Sequence, residues 1–275
     1  MKIPDWFIYS VVLAGVLYAL FSRSDGTDAP PAIPDEIQLP DVTLPLPSIF
    51  DEEVMVELED TDDPSVGTAF SIGRDGMWLS ARHVVEGCSD LAVQVGQSRI
   101  VPVQRYETDE DADLALLYTQ GGPEPAVLDL QEELRVGQHG YHIGYPQGRA
   151  GEVTSRLLAR SVLRTTGRYQ TSEPVIAWAE SGRTRNLVGS LGGMSGGPLF
   201  NEHGEVIGVT IAESPRRGRI YTAAPTSLRT FIETEADLNL DGEQTRSLHP
   251  DNYGGEGDRL RRNLTIVKVL CRARE

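Results

Sequence analysis

At 275 residues, with hydrophobic residues at 39% and charged residues at 24%, the chain has room for one large domain or two small ones and the composition of a globular protein. A net charge of -16 and the lack of any basic stripe to neutralise phosphates argue against nucleic acid as a partner. The two cysteines, Cys88 and Cys271, exclude a dense disulfide scaffold; neither sits in a CxxC pair or a Cys/His cluster, so no metal or other cofactor is expected.

The acidity belongs to one segment. Residues 22–63 hold thirteen Asp/Glu against one basic residue, Arg23, whereas 23 basic residues face 27 acidic ones from Pro64 onward. Ahead of it, Trp6 to Phe21 (WFIYSVVLAGVLYALF) runs sixteen residues without a charge. At about 1.5 Å per residue that is slightly short of a hydrocarbon core of about 30 Å, with Trp6, Tyr9 and Tyr18 suited to the interfaces. Residues 1–21 therefore read as an N-terminal transmembrane anchor. The alternative is a cleaved signal peptide, for which Ala19-Leu20-Phe21-Ser22 is a poor site. Residues 22–53, rich in acid and carrying Pro30, Pro31, Pro34, Pro40, Pro45 and Pro47, read as a disordered linker, since proline denies helix and like charges extend the chain.

From Val54 the texture changes to short β-branched runs separated by Gly, Asp or Pro. Val66–Ile72, Leu91–Val95, Leu114–Leu117, Val206–Ile211 and Arg219–Ala223 suggest an all-β barrel or sandwich. Pro225–Glu235 is the best helix candidate, with proline near its start. The domain is expected to span residues 54–235. Residues 236–275 form a C-terminal extension ending in a strand, NLTIVKVLC (Asn263–Cys271).

Three segments carry chemistry. MWLSARHVVEGC (Met77–Cys88) delivers His83, DADLALL (Asp111–Leu117) delivers Asp113, and GGMSGGPLF (Gly192–Phe200) sets Ser195 among glycines. A serine hydroxyl needs a neutral imidazole to take its proton, and a buried carboxylate must hold that imidazole's tautomer. The oxyanion needs preorganised N–H donors, here Gly193 and Ser195, in a tight turn that glycine permits. Each residue alone is weak; the order His, then Asp 30 residues on, then Ser 82 further on carries the reading. Asp111 is a rival to Asp113, but Asp113 directly precedes the apolar run.

ARHVV, DADLALL and GGMSGGPLFNEHGEVIGVT resemble the three signatures of chymotrypsin-like (trypsin-like) serine proteases, closest to the protease domain of the bacterial HtrA (Deg) type. LRVGQHGYHIGYPQG (Leu134–Gly148) and YTAAPTSLRTFI extend the likeness to roughly Val54–Glu235. The resemblance implies two six-stranded antiparallel β-barrels with a C-terminal helix and the triad between them. It also implies a serine endopeptidase acting on protein or peptide substrates. The stretch past Glu235 is too short for a PDZ domain, so regulation by one in cis is not expected. Met194 stands where trypsin-like zymogens keep an aspartate, which excludes that ion-pair activation. Arg82 replaces a small residue beside the histidine and is expected in solvent. By resemblance the floor of the S1 pocket falls at Gly189 and its wall on Thr210, Ile211, Ala212, Glu213 and Ser214, pointing to a small or medium apolar P1 residue unless Glu213 turns inward.

His139, His142, His203 and His249 lack motif context and are expected in surface or turn roles. DLNLDG (237–242) has Leu248 at the twelfth position of a calcium loop, where Glu is required, so calcium is not expected. Cys88 and Cys271 either pair, docking the tail beside the histidine, or remain two buried thiols. The expected place is a bacterial inner membrane, crossed once, with the domain in the periplasm; the alternative is secretion after signal cleavage. A protease-like fold kept for binding or scaffolding is the competing function.

Overall fold

The computed structural model describes residues 42–58, 64–96, 98–131, 133–235 and 246–273. The anchor, most of the linker and the DLNLDG stretch lie outside the described residues. No helix among the described residues is long and apolar enough to cross a membrane.

The chain runs through β1 (Val42–Thr43), β2 (Glu52–Leu58), β3 (Ser65–Gly73), β4 (Met77–Ser80) and the one-turn helix α1 (Arg82–Val85). β5 (Cys88–Gln94), β6 (Ile100–Pro102), β7 (Arg105–Thr108), β8 (Ala115–Tyr118), β9 (Arg135–Val136) and β10 (His139–Gly144) follow. The long pair β11 (Gly151–Gly167) and β12 (Ser172–Arg183) precedes β13 (Pro198–Phe200), β14 (Val206–Ser214) and β15 (Arg219–Ala223). Helices α2 (Pro225–Glu235) and α3 (Tyr253–Arg262) lead to the last strand, β16 (Ile266–Ala273).

Two seven-stranded sheets result. One has the order β6-β5-β16-β3-β4-β8-β7; the other has β10-β13-β14-β15-β12-β11-β2, and a further β10–β11 ladder closes six of its strands into a ring. The likeness to chymotrypsin-like barrels suggests six antiparallel strands each. The structure corrects that in two places. β2 joins the second sheet in parallel with β11, pairing Glu52 with Ser161 through to Leu58 with Gly167. β16 enters the first sheet as an interior strand, antiparallel to both β3 and β5. Both additions come from outside the stretch that carries the motifs, which is why the motifs do not announce them. The linker reading also meets a difference. Within 42–53, β1 pairs with β9, Leu44 is buried, and Arg160 donates to Pro45 O at 2.7 Å.

Two apolar clusters fill the sheets. The larger gathers Phe70, Trp78, Leu79 and Leu114–Leu117 with Tyr141 and Phe200; the smaller gathers Leu157, Trp178, Met194, Leu199 and Ile207. The buried indoles are satisfied, Trp78 Nε1 by Thr119 Oγ1 at 2.8 Å and Trp178 Nε1 by Thr222 Oγ1 at 3.0 Å. α2 coincides with its expected bounds, whereas α3 carries three glycines and was not foreseen. α3 is fixed by Arg261, which is buried and paired with Glu152 of β11 and with Asp258, the latter at 2.7 Å.

Candidate active site

His83 lies on α1, which rests on β3 because Gly67 has no side chain; a Cβ there would meet Val84 Cγ1 at 2.3 Å. The serine turn reaches the same spot through glycine. Gly196 takes φ +83°, and a Cβ on it would meet Thr68 O at 2.1 Å and Ser80 Oγ at 2.3 Å. Thr68 N–H donates to Ser195 O at 2.8 Å. The nucleophile candidate is thereby seated on β3 and the end of β4, three residues before His83. Met194, fully buried, anchors the turn in the smaller cluster. Burying such a side chain contributes about 1.5–3 kcal/mol, and it does so where an ion pair is absent.

Asp113 is almost wholly buried and its acceptors are filled. Oδ2 lies 2.6 Å from His83 Nδ1, while Oδ1 accepts the His83 N–H and the Tyr169 hydroxyl, each at 2.9 Å. Burial pushes its pKa up, but His83 by charge and hydrogen bonds, and Tyr169, outweigh this and leave it below the usual value. An ionised carboxylate only accepts, so the proton of the imidazole sits on Nδ1 and the Nε2 lone pair is free. For His83, burial opposes the imidazolium, the Asp113 charge and hydrogen bond favour it, and the net shift is upward. Asp111 is exposed, its N–H donating to Asp109 Oδ1 at 2.8 Å, and takes no part. Among the described residues, no hydrogen bond joins Ser195 Oγ to His83.

Around the serine, the N–H groups of Leu191, Gly192, Met194, Gly196 and Gly197 all find acceptors in the protein. Those of Gly193 and Ser195 find none among the described residues. These two donors lie two residues apart, one of them on the half-buried Ser195 itself, an arrangement able to receive an oxyanion.

The remaining expected residues separate. Gly189 takes φ +79° with open space where a Cβ would be. Thr210 turns into the barrel, its Oγ1 at 3.0 Å from His142 Nδ1, and Ile211 is buried in the larger cluster. Ala212 is half-buried. Glu213 does reach the loop opposite, where Oε1 accepts from Ser190 Oγ at 2.5 Å and Leu191 N–H at 2.7 Å. His142 is fully buried and held by Thr210 and Ser155, not placed at the surface; burial lowers its pKa to about 3. Arg82 is not in solvent either. It pairs with Glu86 at 2.6 Å, donates to Asp109 O at 3.0 Å and lies 4.1 Å over the Tyr169 ring.

The β11–β12 turn and the start of β12 supply residues that sequence reasoning missed. Arg168 Nη1 donates to His83 O at 3.3 Å, Tyr169 supports Asp113, and the Asp113 N–H donates to Glu173 Oε1 at 2.9 Å. Glu173 is buried, its Oε2 unpartnered, and burial with the Asp113 charge pushes its pKa to about 9. No motif marks them, because a turn distant in sequence delivers them.

A His–Asp couple carried by the first sheet, facing a glycine-flanked serine that leads into β13 of the second and two N–H groups without acceptors among the described residues, fits the class of serine hydrolases built on β-barrels. Residues 67–209 match the family profile of the trypsin-like peptidase domain, and the chain belongs to that family. It is 29% identical over 178 residues to a probable periplasmic serine endoprotease, DegP-like, of Hahella chejuensis, covering 64% of this chain and 34% of that protein. The protein of that description from Marinomonas sp. is 32% identical over 187 residues, covering 66% and 37%. The chain thus spans about a third of the length of these curated relatives. Among solved structures, the active form of the Rv3671c protease from M. tuberculosis shares the fold at a TM-score of 0.52 and 20% identity, covering 67% of this chain and 76% of that one.

Proposed function

We propose that the chain is a membrane-tethered serine endopeptidase hydrolysing peptide bonds of exported or misfolded proteins through an acyl-enzyme. Ser195 Oγ attacks the scissile carbonyl as His83 Nε2 takes its proton. Asp113 keeps the tautomer and stabilises the imidazolium, and the Gly193 and Ser195 N–H groups receive the oxyanion. His83 then protonates the leaving amine, and water, activated by the same base, releases the acyl group. The hydroxyl–imidazole hydrogen bond that starts the cycle forms as substrate closes the site, a tightening common in such enzymes.

The observation that carries this reading is the pair of unspent N–H donors beside a serine whose neighbouring histidine is held by a buried carboxylate. A small or medium apolar P1 residue is supported by the side-chain-free Gly189 and by Glu213, whose Oε1 is spent on the opposite loop. The apolar run at 6–21 and the periplasmic relatives support a domain on the outer face of a bacterial inner membrane. Labelling by a fluorophosphonate tests the reading: wild type should react and Ser195→Ala should not. Equal behaviour of the two in folded protein would favour a binding or scaffold role.

A further inference from the structure

On the peptidase reading the loop Leu187–Gly193 carries the rim of the P1 pocket and half of the oxyanion receptor, and all seven of its carbonyls are engaged. Arg183 Nη1 donates to Leu187 O at 3.5 Å and Gly189 O at 2.9 Å. Leu191 O takes the Met194 N–H at 2.8 Å, and Gly193 O takes the Thr68 hydroxyl at 2.7 Å. The other three end on one residue. Gln147 Nε2 donates to Val188 O at 2.7 Å and Ser190 O at 2.8 Å, and the Gln147 N–H donates to Gly192 O at 2.5 Å.

Geometry makes the last bond decisive. In a trans peptide the N–H points opposite the C=O, so fastening Gly192 O to Gln147 turns the Gly193 N–H away from Gln147. That is the N–H left without an acceptor among the described residues. Gln147 reaches all three carbonyls from φ 52° and ψ 29°, a left-handed conformation that non-glycine residues seldom adopt. Such a backbone persists only where its surroundings over-determine it, and here Gln147 bonds the loop from both its backbone and its side chain. The contact is tight: a Cβ on Gly193 would meet Tyr145 O at 2.6 Å.

We propose that Gln147 is a positioning residue for the reaction at Ser195. It fixes the 192–193 peptide so that Gly193 N–H faces the oxyanion, and its amide fixes the Val188–Ser190 rim, so the receptor is set before substrate arrives. The proposal rests on the peptidase reading. Gln147→Glu keeps the shape but removes both amide donors and sets a carboxylate against two carbonyls. Gln147→Gly keeps only the backbone bond and frees the left-handed angle; Gln147→Asn keeps a shorter amide.

The full chain is tested by the rate of fluorophosphonate labelling, the affinity of a peptide boronate, which mimics the tetrahedral adduct, and kcat and KM on a peptide substrate. Gln147→Glu should lose about tenfold to a hundredfold in labelling rate and kcat, with boronate affinity falling by a similar factor. KM and thermal midpoint should stay close to wild type, and Gln147→Asn should recover part of the loss. Wild-type rates and boronate affinity in both Gln147→Glu and Gln147→Gly would overturn the proposal, as would a loss confined to KM or matched by loss of folded protein. If wild type labels with dependence on Ser195 while these variants label equally well, Gln147 alone is refuted. If wild type does not label at all, the peptidase reading falls and the proposal with it.

Discussion

Asp113 shows how much of a buried carboxylate's behaviour comes from its neighbours. His83, Tyr169 and the backbone all donate to it, so it stays ionised although almost no water reaches it. Asp113→Asn should therefore keep the fold and lose about 10⁴ in turnover, because the amide would favour the wrong tautomer of His83. Asp111→Asn should leave kcat unchanged; measuring both on one substrate separates the two candidates. Glu173, one bond behind Asp113, titrates in the opposite sense. Its pKa is near 9 in the folded protein against about 4.3 in an unfolded chain, so between those values the native state binds more protons. Stability from this group is greatest at low pH and is lost as pH rises towards 9. Glu173→Gln should remove that slope, its stability rising relative to wild type by on the order of 4 kcal/mol as pH goes from 5 to 8. Urea unfolding at the two pH values reads it directly, and a parallel slope in both proteins would refute the assignment.

At the scale of elements, the C-terminal segment is the largest departure from a reading based on motifs. β16 stands between β3 and β5, with Val267 and Val269 in the larger cluster. Cys271 on it is bonded to Cys88 on β5 across a Cα–Cα distance of 5.4 Å and 183 residues of sequence. In the chain-entropy picture, closing so long a loop is worth up to about 5 kcal/mol. Cys271→Ser or reduction should lower the thermal midpoint by roughly 5–15 °C while leaving a folded enzyme. Deleting 263–275 is a different injury. It leaves β3 and β5 with facing unpaired edges and opens the core, so the deletion should not yield a cooperative unfolding transition by circular dichroism.

For the whole molecule, the question is where the linker ends and the enzyme begins. β2 contributes seven residues in register with β11, and the Arg168 N–H at the β11–β12 turn donates to Leu58 O at 3.1 Å. Glu52 binds Arg217 and Arg219, and Glu53 binds Arg164; these pairs are largely exposed and each adds little. A chain beginning at Val42 should keep wild-type activity and thermal stability while leaving the membrane fraction. One beginning at Pro64 should lose several degrees and much of its activity, since the turn bearing Arg168 and Tyr169 loses its neighbour. Equal stability of the two truncations would show β2 to be an ornament.

By itself the sequence determined what local chemistry can write: strand texture, the Pro225–Glu235 helix, and the order His83, Asp113, Ser195 with its glycines. These are legible because period-2 apolar runs, a helix-opening proline and tight turns each depend on a few adjacent residues. It also showed the acidic, proline-rich start and the two cysteines, without deciding whether they pair. Tertiary structure decided what depends on residues far apart in the chain. Tyr169 and Glu173 meet Asp113 only because β11 and β12 bring their turn across the domain. Gln147 meets the 187–193 loop only because β10 delivers it there. β16 was legible as a strand, but its place between β3 and β5, and the parallel pairing of β2 with β11, depend on sheet edges set by residues far away in the chain.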